Sequence, residues 1–250
     1  YKRQPGDSIM FRLNTVGFDE SLAFSGRGAE KNNFLMNLFL QNEEEDKRLK
    51  ELYKLNPTAF EKEIAHTKKR LLTDLDEFII SEKPSEAFIH IALANINYNY
   101  YSRKELYLSS KKKANNNNKI KYPENFFTYR DSLDLNDNTL KNYYTYHQFI
   151  NRYLDNLAYQ GHIKKEPTFN KISYWHQTQK LRLIDSLITN KQLHDNLLHN
   201  TVKRYLVHAD DSQKEHDLVA LFKNLDHNEA HQKDVELSLI HISEPTRRTP

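Results

Sequence analysis

The spacing of apolar side chains changes once along this chain, near residue 28, and that change limits what the chain can fold into. Before it, Ser8-Ile9-Met10-Phe11-Arg12-Leu13-Asn14 and Ser21-Leu22-Ala23-Phe24-Ser25 alternate roughly with period two. Pro5-Gly6-Asp7 precedes the first run and Gly26-Arg27-Gly28 follows the second, so the segment reads as strand, turn, strand. A lone hairpin is marginal in water, so these strands are expected to be the remnant of a sheet domain whose other members lie outside the chain. From Ala29 onward apolar residues recur at helical spacing. The expected fold is mainly α: an irregular multi-helix domain over residues 29–236, preceded by a small β remnant of a truncated N-terminal sheet domain over residues 1–28.

Within the helical part, Phe60, Ile64, Leu71, Leu75, Phe78 and Ile79 make one stripe, with Asn56 as N-cap and Pro57 at the first helical position. Ser85 opens a second helix to about Tyr101, and Phe88, Ile91, Ala92 and Ile96 make it central. Residues 109–122 hold Lys111-Lys112-Lys113 and a run of Asn, which favours turns, so they are expected to be an exposed loop ended by Pro123. The next helix, about Asp137 to Tyr159, carries Leu140, Tyr143, Tyr144, His147, Ile150, Leu154 and Leu157, with Gly161 as its stop. Three more follow, over about 169–188, 192–207 and 213–225. The last is expected to open on a Ser212-x-x-Glu215 capping box and to bury Leu218, Leu221, Phe222 and Leu225. No repeat of fixed period runs through them.

Composition narrows the class. Apolar residues are only 38%, but 15 Tyr and 13 Phe supply large buried areas, so a packed core is expected rather than disorder. Five Gly and seven Pro are too few for a turn-rich β protein. A net charge of +3 is too small to draw nucleic acid by long-range attraction, and none is expected as a partner. No run approaches 18 uninterrupted apolar residues, so no transmembrane segment is expected. The absence of Cys removes disulfides, thiolate metal sites and cysteine nucleophiles.

The candidates for chemistry each have a plainer reading that the sequence favours. His227-Asn228-Glu229-Ala230-His231 sets two imidazoles at ligand spacing, but a zinc-protease helix needs Glu where Asn228 stands, and exposed histidines are expected. Glu43-Glu44-Glu45-Asp46 lacks the glycine of a calcium loop and is followed by Lys47, Arg48 and Lys50, so an ion-paired helix face is expected. Tyr98, Tyr100, Tyr101, Tyr143, Tyr144 and Tyr146 could stack bases or sugars, yet at helical spacing they read as core and core rim. Lys111 to Lys113 read as a solubilising run, and Trp175 as a packing residue. Gly26-Arg27-Gly28 is no phosphate loop, and no Gly-x-Ser-x-Gly elbow frames a nucleophile. No catalytic, cofactor-binding or metal-binding residue is assigned, and no cofactor is expected.

The strand-to-helix passage carries a resemblance. At Pro5-Gly6-Asp7-Ser8-Ile9, and again at Phe24-Ser25-Gly26-Arg27-Gly28-Ala29-Glu30-Lys31-Asn32-Asn33-Phe34-Leu35, the chain resembles TlpA-type thiol–disulfide oxidoreductases of the bacterial cell envelope. In that family a β domain ends in a strand, a glycine turn and an Asn-Asn-Phe/Tyr-Leu helix start, and a Tyr-rich helical region leads to a C-terminal thioredoxin domain. Leu193-His194-Asp195-Asn196-Leu197-Leu198 and the helices through Asp234 are similar to the stretch that precedes that domain. The resemblance spans most of residues 5–236. It implies a periplasmic or cell-envelope location and a redox domain, absent here, that this region would position, dimerise or supply with protein substrates. With no Cys, no catalytic residue of the family carries over to any position. The alternative is a helical protein-interaction or scaffolding domain with no redox role.

The last fourteen residues, Leu237 to Pro250, stand apart. Leu237-Ser238-Leu239-Ile240-His241-Ile242-Ser243-Glu244-Pro245-Thr246-Arg247 matches one reading frame of a transposase-type sequencing adapter over consecutive residues. Residues 237–250 are therefore expected to be adapter-derived. With Tyr1 in place of an initiator Met, the chain is expected to be an internal gene fragment cut just before a thioredoxin domain.

Overall fold

The computed structural model describes residues 9–14, 16, 22–114, 120–166, 168, 170–209 and 211–243. The expected turn at Pro5-Gly6-Asp7, the Asn-rich stretch 115–119 and residues 244–250 lie outside them. The described residues are mainly α-helical with one two-stranded sheet, as the change of period predicts. They divide into two compact units, residues 1–104 with 120–127 and residues 105–119 with 128–250.

In the first unit, β1 (Ile9–Arg12) and β2 (Ala23–Gly26) pair antiparallel, with Phe11 opposite Phe24. Gly26 and Gly28 take φ of 98° and 84°, left-handed values that side-chain-bearing residues adopt at a cost, and this lets the strand turn directly into a helix. That helix, α1 (Ala29–Lys47), has no side-chain cap at its start. Asn33, inside its first turns, instead clasps the strand: its Oδ1 accepts from Phe24 N at 2.8 Å and its Nδ2 donates to Phe24 O at 2.9 Å. The side-chain amide thus acts as one more strand partner for β2. A short α2 (Leu49–Leu52) leads to α3 (Pro57–Glu82), where Asn56 accepts from Ala59 N at 2.9 Å as its N-cap. Next comes α4 (Glu86–Ala114). Of the predicted stripe on α3, Phe60, Ile64, Leu71 and Leu75 are buried and Phe78 and Ile79 half-buried. Leu71 and Leu75 meet Leu38 of α1 and Phe88, Ala92 and Ile96 of α4, with Phe34, Phe78 and Phe88 in ring contact around them.

Helix α4 corrects two boundaries. It runs through Ala114, past Tyr101 where the apolar spacing ends it, so residues 109–114 are helix rather than loop. Two of these lysines are packed into structure instead of solubilising a loop: Lys111 lies over the Tyr107 ring, and Lys112 lies over Tyr159 and donates to Asn156 Oδ1 at 2.9 Å. Long aliphatic stems let Lys cover apolar surface while the ammonium finds a partner, a role that a charge count cannot reveal. A 3-10 helix follows over Glu124–Ser132.

The second unit contains α5 (Tyr144–Ile163), α6 (Tyr174–Leu187), α7 (Lys191–Leu206), α8 (Ser212–Leu225) and α9 (Glu229–Ser243). Helix α6 packs against α5, α7 and α8, and α9 against α7 and α8. Phe149, Ile150, Leu154, Leu181, Ile184, Leu197, Leu198, Val202, Leu218 and Phe222 are all buried in it.

Local polar bonds move several predicted helix ends. Residues 137–143 are turn, not helix, because Asp134 Oδ1 accepts from Asn136 N at 2.8 Å and Asp137 Oδ1 from Thr139 N at 2.7 Å. Such Asx turns compete with the helical ladder. Leu140 is still buried there, so its apolar match to the stripe is genuine while its conformation is not helical. Asn170 delays α6 in the same way, and Ser173 then caps it. The cap of α8 is Asp211, which accepts from Lys214 N at 3.1 Å; the Ser212-x-x-Glu215 box does not form. Gly161 stops nothing: it lies within α5, where a Cβ would come within 2.6 Å of the Gln179 side chain, so its smallness serves close packing. Helix α9 continues into the adapter-like segment as far as Ser243.

Candidate functional site

The second unit holds a charged cluster set inside its own core. On α6 the buried stripe of Gln177, Leu181 and Ile184 also includes Lys180, whose side chain is 0% exposed. On α5 Asp155 sits between Leu154 and Asn156 and is buried as well. Where the two helices pack, Lys180 Nζ meets Asp155 Oδ1 at 2.6 Å. His176, one turn before Lys180, brings Nε2 to 3.5 Å from the same oxygen, and Arg204 of α7 brings Nη2 to 3.6 Å. Burial alone would raise the Asp155 carboxyl, but Lys180, the His176 contact and Arg204 hold it well below the usual carboxylate range. Burial pushes the His176 imidazole down, against the pull of Asp155, so the ring is neutral near pH 7.

Above this cluster α5 and α7 leave a cavity of about 710 Å3. Its charged lining is Arg152, Lys171, Arg204 and Asp155, and only Asp155 is acidic. Asn142, Gln148, Asn151 and Asn200 supply amides, and His147 and Tyr144 an imidazole and a phenol, with Leu106 and Thr201 completing the wall. The volume falls within the range of small-molecule sites, but the lining is far more polar than is usual for one. Asp155 already carries Lys180, so the cavity faces a ligand with cations and neutral amides. Such a wall favours an anion.

A second polar knot lies in the same unit. Glu105, 0% exposed, receives Arg130 Nη2 at 2.7 Å on both carboxylate oxygens, Asn156 Nδ2 at 2.6 Å and the Tyr129 hydroxyl. Burial and then Glu105 raise the Tyr129 phenol well above its ordinary value, and burial lowers the Lys112 amine to about 8. Every oxygen of Glu105 is bonded, so this knot reads as a structural tie between α4, the 3-10 helix and α5.

The sequence candidates fall mostly on their plainer readings. Glu44 pairs with Lys47, Glu45 with Arg48, and Asp46 with Arg103, so the acidic run is an ion-paired face. Tyr146 is fully buried and Tyr98, Tyr100, Tyr101 and Tyr143 are half-buried, whereas Tyr144 is 72% exposed at the cavity wall. Trp175 is half-buried, with Lys165 over its ring and Tyr174 against its edge. His227 and His231 do not share a helical face, because α9 begins at Glu229 and Asn228 Oδ1 turns back to accept from Ala230 N and His231 N. His231 is not the exposed histidine expected; it stacks on His199 at 4.4 Å and bonds to Asp226. Among the described residues, no group of three or more His, Cys, Asp or Glu could hold a metal ion. No described helix is long and apolar enough to cross a membrane.

Sequence reasoning misses Asp155, His176, Lys180 and Arg204. One signal is present: Lys180 stands in register with Gln177, Leu181 and Ile184, and a charge inside a buried stripe implies a buried counter-charge. Its partner, 25 residues earlier, is fixed only by how α5 meets α6. No family model, curated protein or solved structure matches the chain.

Proposed function

We propose that this chain is the non-catalytic strand-to-helix region of a cell-envelope thiol–disulfide oxidoreductase of the TlpA type, and that it positions a thioredoxin domain or that domain's protein partners. The observation that supports the reading most is the Asn33 clasp on Phe24. It gives the Asn-Asn-Phe-Leu segment, on which the resemblance rests, a physical role, because it ties β2 to α1. The glycine turn at Gly26 and Gly28 lets the two elements approach closely enough for that bond. With no Cys in 250 residues, the thiolate pair that such chemistry needs belongs to a separate domain of the parent protein.

Two measurements test this. The parent reading frame, recovered beyond Glu236, is expected to contain Cys-x-x-Cys within about 60 residues, on a strand-then-helix pattern. A frame that continues as further helices without a thiol pair would replace the redox reading with that of a helical scaffold. Reduction of insulin disulfides by this chain alone is expected at the buffer rate, and by the full parent protein well above it.

A further inference from the structure

We infer that the cavity between α5 and α7 binds an anionic sugar, that is, a hexose-sized molecule carrying a phosphate or a carboxylate. This binding does not depend on the redox reading, because it rests only on the chemistry of the cavity wall.

The wall disfavours two ligand classes and suits a third. A metal cation is disfavoured, because the one carboxylate in the wall, Asp155, is already held by Lys180 at 2.6 Å. An apolar ligand is disfavoured by a wall of twelve residues in which Leu106 is the one aliphatic side chain. An anion is favoured by Arg152, Lys171 and Arg204, which come from α5, from the loop before α6 and from α7 and converge on one space. Arg204 is only loosely engaged by Asp155, whose Oδ1 lies 3.6 Å from Nη2, beyond good hydrogen-bond range. Its Nε and Nη2 are themselves buried, but the side chain as a whole is 38% exposed at the cavity wall, and phosphate and carboxylate are the groups that a guanidinium binds best.

Size and the neutral wall carry the inference from any anion to a sugar. At about 710 Å3 the cavity is many times the volume of a bare phosphate, so most of the ligand touches the remaining wall. That wall is amides whose engagement is partial: Gln192 donates to Asn142 Oδ1, Gln148 Nε2 bonds to the Tyr144 hydroxyl and Asn151 Nδ2 to the His147 carbonyl. Asn142 therefore presents its amino group, Gln148 and Asn151 their carbonyl oxygens and Asn200 both, and together they supply the donors and acceptors that neighbouring hydroxyls require. Tyr144, 72% exposed at the same wall, presents a ring on which the C–H face of a pyranose can rest.

The test is isothermal titration calorimetry on the full chain with glucose 6-phosphate, glucuronate, glucose and inorganic phosphate. At least one of the two anionic sugars is expected to bind with Kd below about 1 mM, and glucose and phosphate at least about tenfold more weakly. Whichever anionic sugar binds identifies the anion. Lys171→Glu, on an exposed loop position, is expected to weaken that binding by about tenfold or more, and Tyr144→Ala by about threefold, both with an unchanged melting temperature. Absence of binding by both anionic sugars at 10 mM, about ten times the expected Kd, would overturn the inference. So would phosphate binding as tightly as the sugar phosphate, or Lys171→Glu binding as the unaltered chain does.

Discussion

Asp155 is the counter-charge on which the second unit depends, and replacing it by Asn isolates that charge from the volume it fills. Lys180 has no exposed side-chain surface, and among the described residues its ammonium bonds, besides Asp155, to the Asn151 carbonyl at 3.5 Å. At 2.6 Å and an effective dielectric near 20, the attraction is roughly 6 kcal/mol before desolvation. Desolvation of two ions cancels much of that, so the intact pair adds little net stability, but breaking it strands a buried ammonium at a cost of about 3–5 kcal/mol. Asp155→Asn is therefore expected to cost at least about 3 kcal/mol. Lys180→Met should cost less, because Asp155 keeps His176 at 3.5 Å and Arg204 at 3.6 Å. The double variant Asp155→Leu with Lys180→Met should lie nearer to the unaltered chain than Asp155→Asn does, since both buried charges go together.

Trp175, the only tryptophan, sits on α6 close to Lys180, so urea unfolding followed by its fluorescence reports this unit directly. The loss should persist in 1 M NaCl, because a pair without exposed surface is poorly screened. An Asp155→Asn cost below about 1 kcal/mol, or one no larger than that of Lys180→Met, would refute the assignment of Asp155 as the essential partner.

Further outcomes follow from the same packing. Stability should fall on acidification in two stages. The His176 pKa is lowered in the fold, so its unfolded form binds the extra proton and stability drops below about pH 6.5, by at most about 1.4 kcal/mol per pH unit. The Asp155 pKa is lowered as well, so its contribution is present above about pH 4 and is lost below it; His176→Gln should remove the first stage in a Trp175 fluorescence titration, and an unchanged profile would assign that stage elsewhere. Thr201, buried on α7, has a hydroxyl without a hydrogen-bond partner, so Thr201→Val should raise stability by about 1 kcal/mol in the urea assay, and a loss would mean that the hydroxyl is satisfied. Asn33→Ala removes both bonds to Phe24 and should cost about 1 kcal/mol, seen as faster hydrogen exchange at Phe24 while exchange within α3 is unchanged.

How much of this is legible in the sequence depends on the distance between partners. The change of period at residue 28, the Asn56 cap and the α3 stripe rest on neighbours a few residues apart, and each is readable. Boundaries fail where short polar side chains turn the backbone aside, as Asp134, Asp137 and Asn170 do, because apolar spacing cannot register a competing hydrogen bond. The helical fate of Lys111 and Lys112 is hidden for a different reason: it depends on Tyr107, Tyr159 and Asn156 being within reach, which is a tertiary fact. The cavity is illegible in the same sense. Arg152, Lys171 and Arg204 lie on three separate segments and converge only because α5 and α7 both pack on α6.

The cluster and the cavity share Asp155 and Arg204, and this joins stability to binding. Lys180 Nζ at 2.6 Å and Arg204 Nη2 at 3.6 Å both address Asp155 Oδ1, so this one oxygen serves a core lysine and a cavity arginine. An anion seated near Arg204 would draw that guanidinium away from Asp155 and leave the carboxylate to Lys180 and His176 alone. Lys180, at 2.6 Å, holds Asp155 far more strongly than Arg204 does at 3.6 Å, so the core should keep its pair when a ligand enters. The two roles are thereby separable by mutation. Arg204→Gln should abolish anion binding while the Asp155–Lys180 pair persists, and Lys180→Met should lower stability while the cavity cations remain. If Arg204→Gln unfolded the unit as readily as Asp155→Asn does, Arg204 would be a core counter-ion rather than a ligand-facing one, and the cavity would lose the cation that most favours an anion.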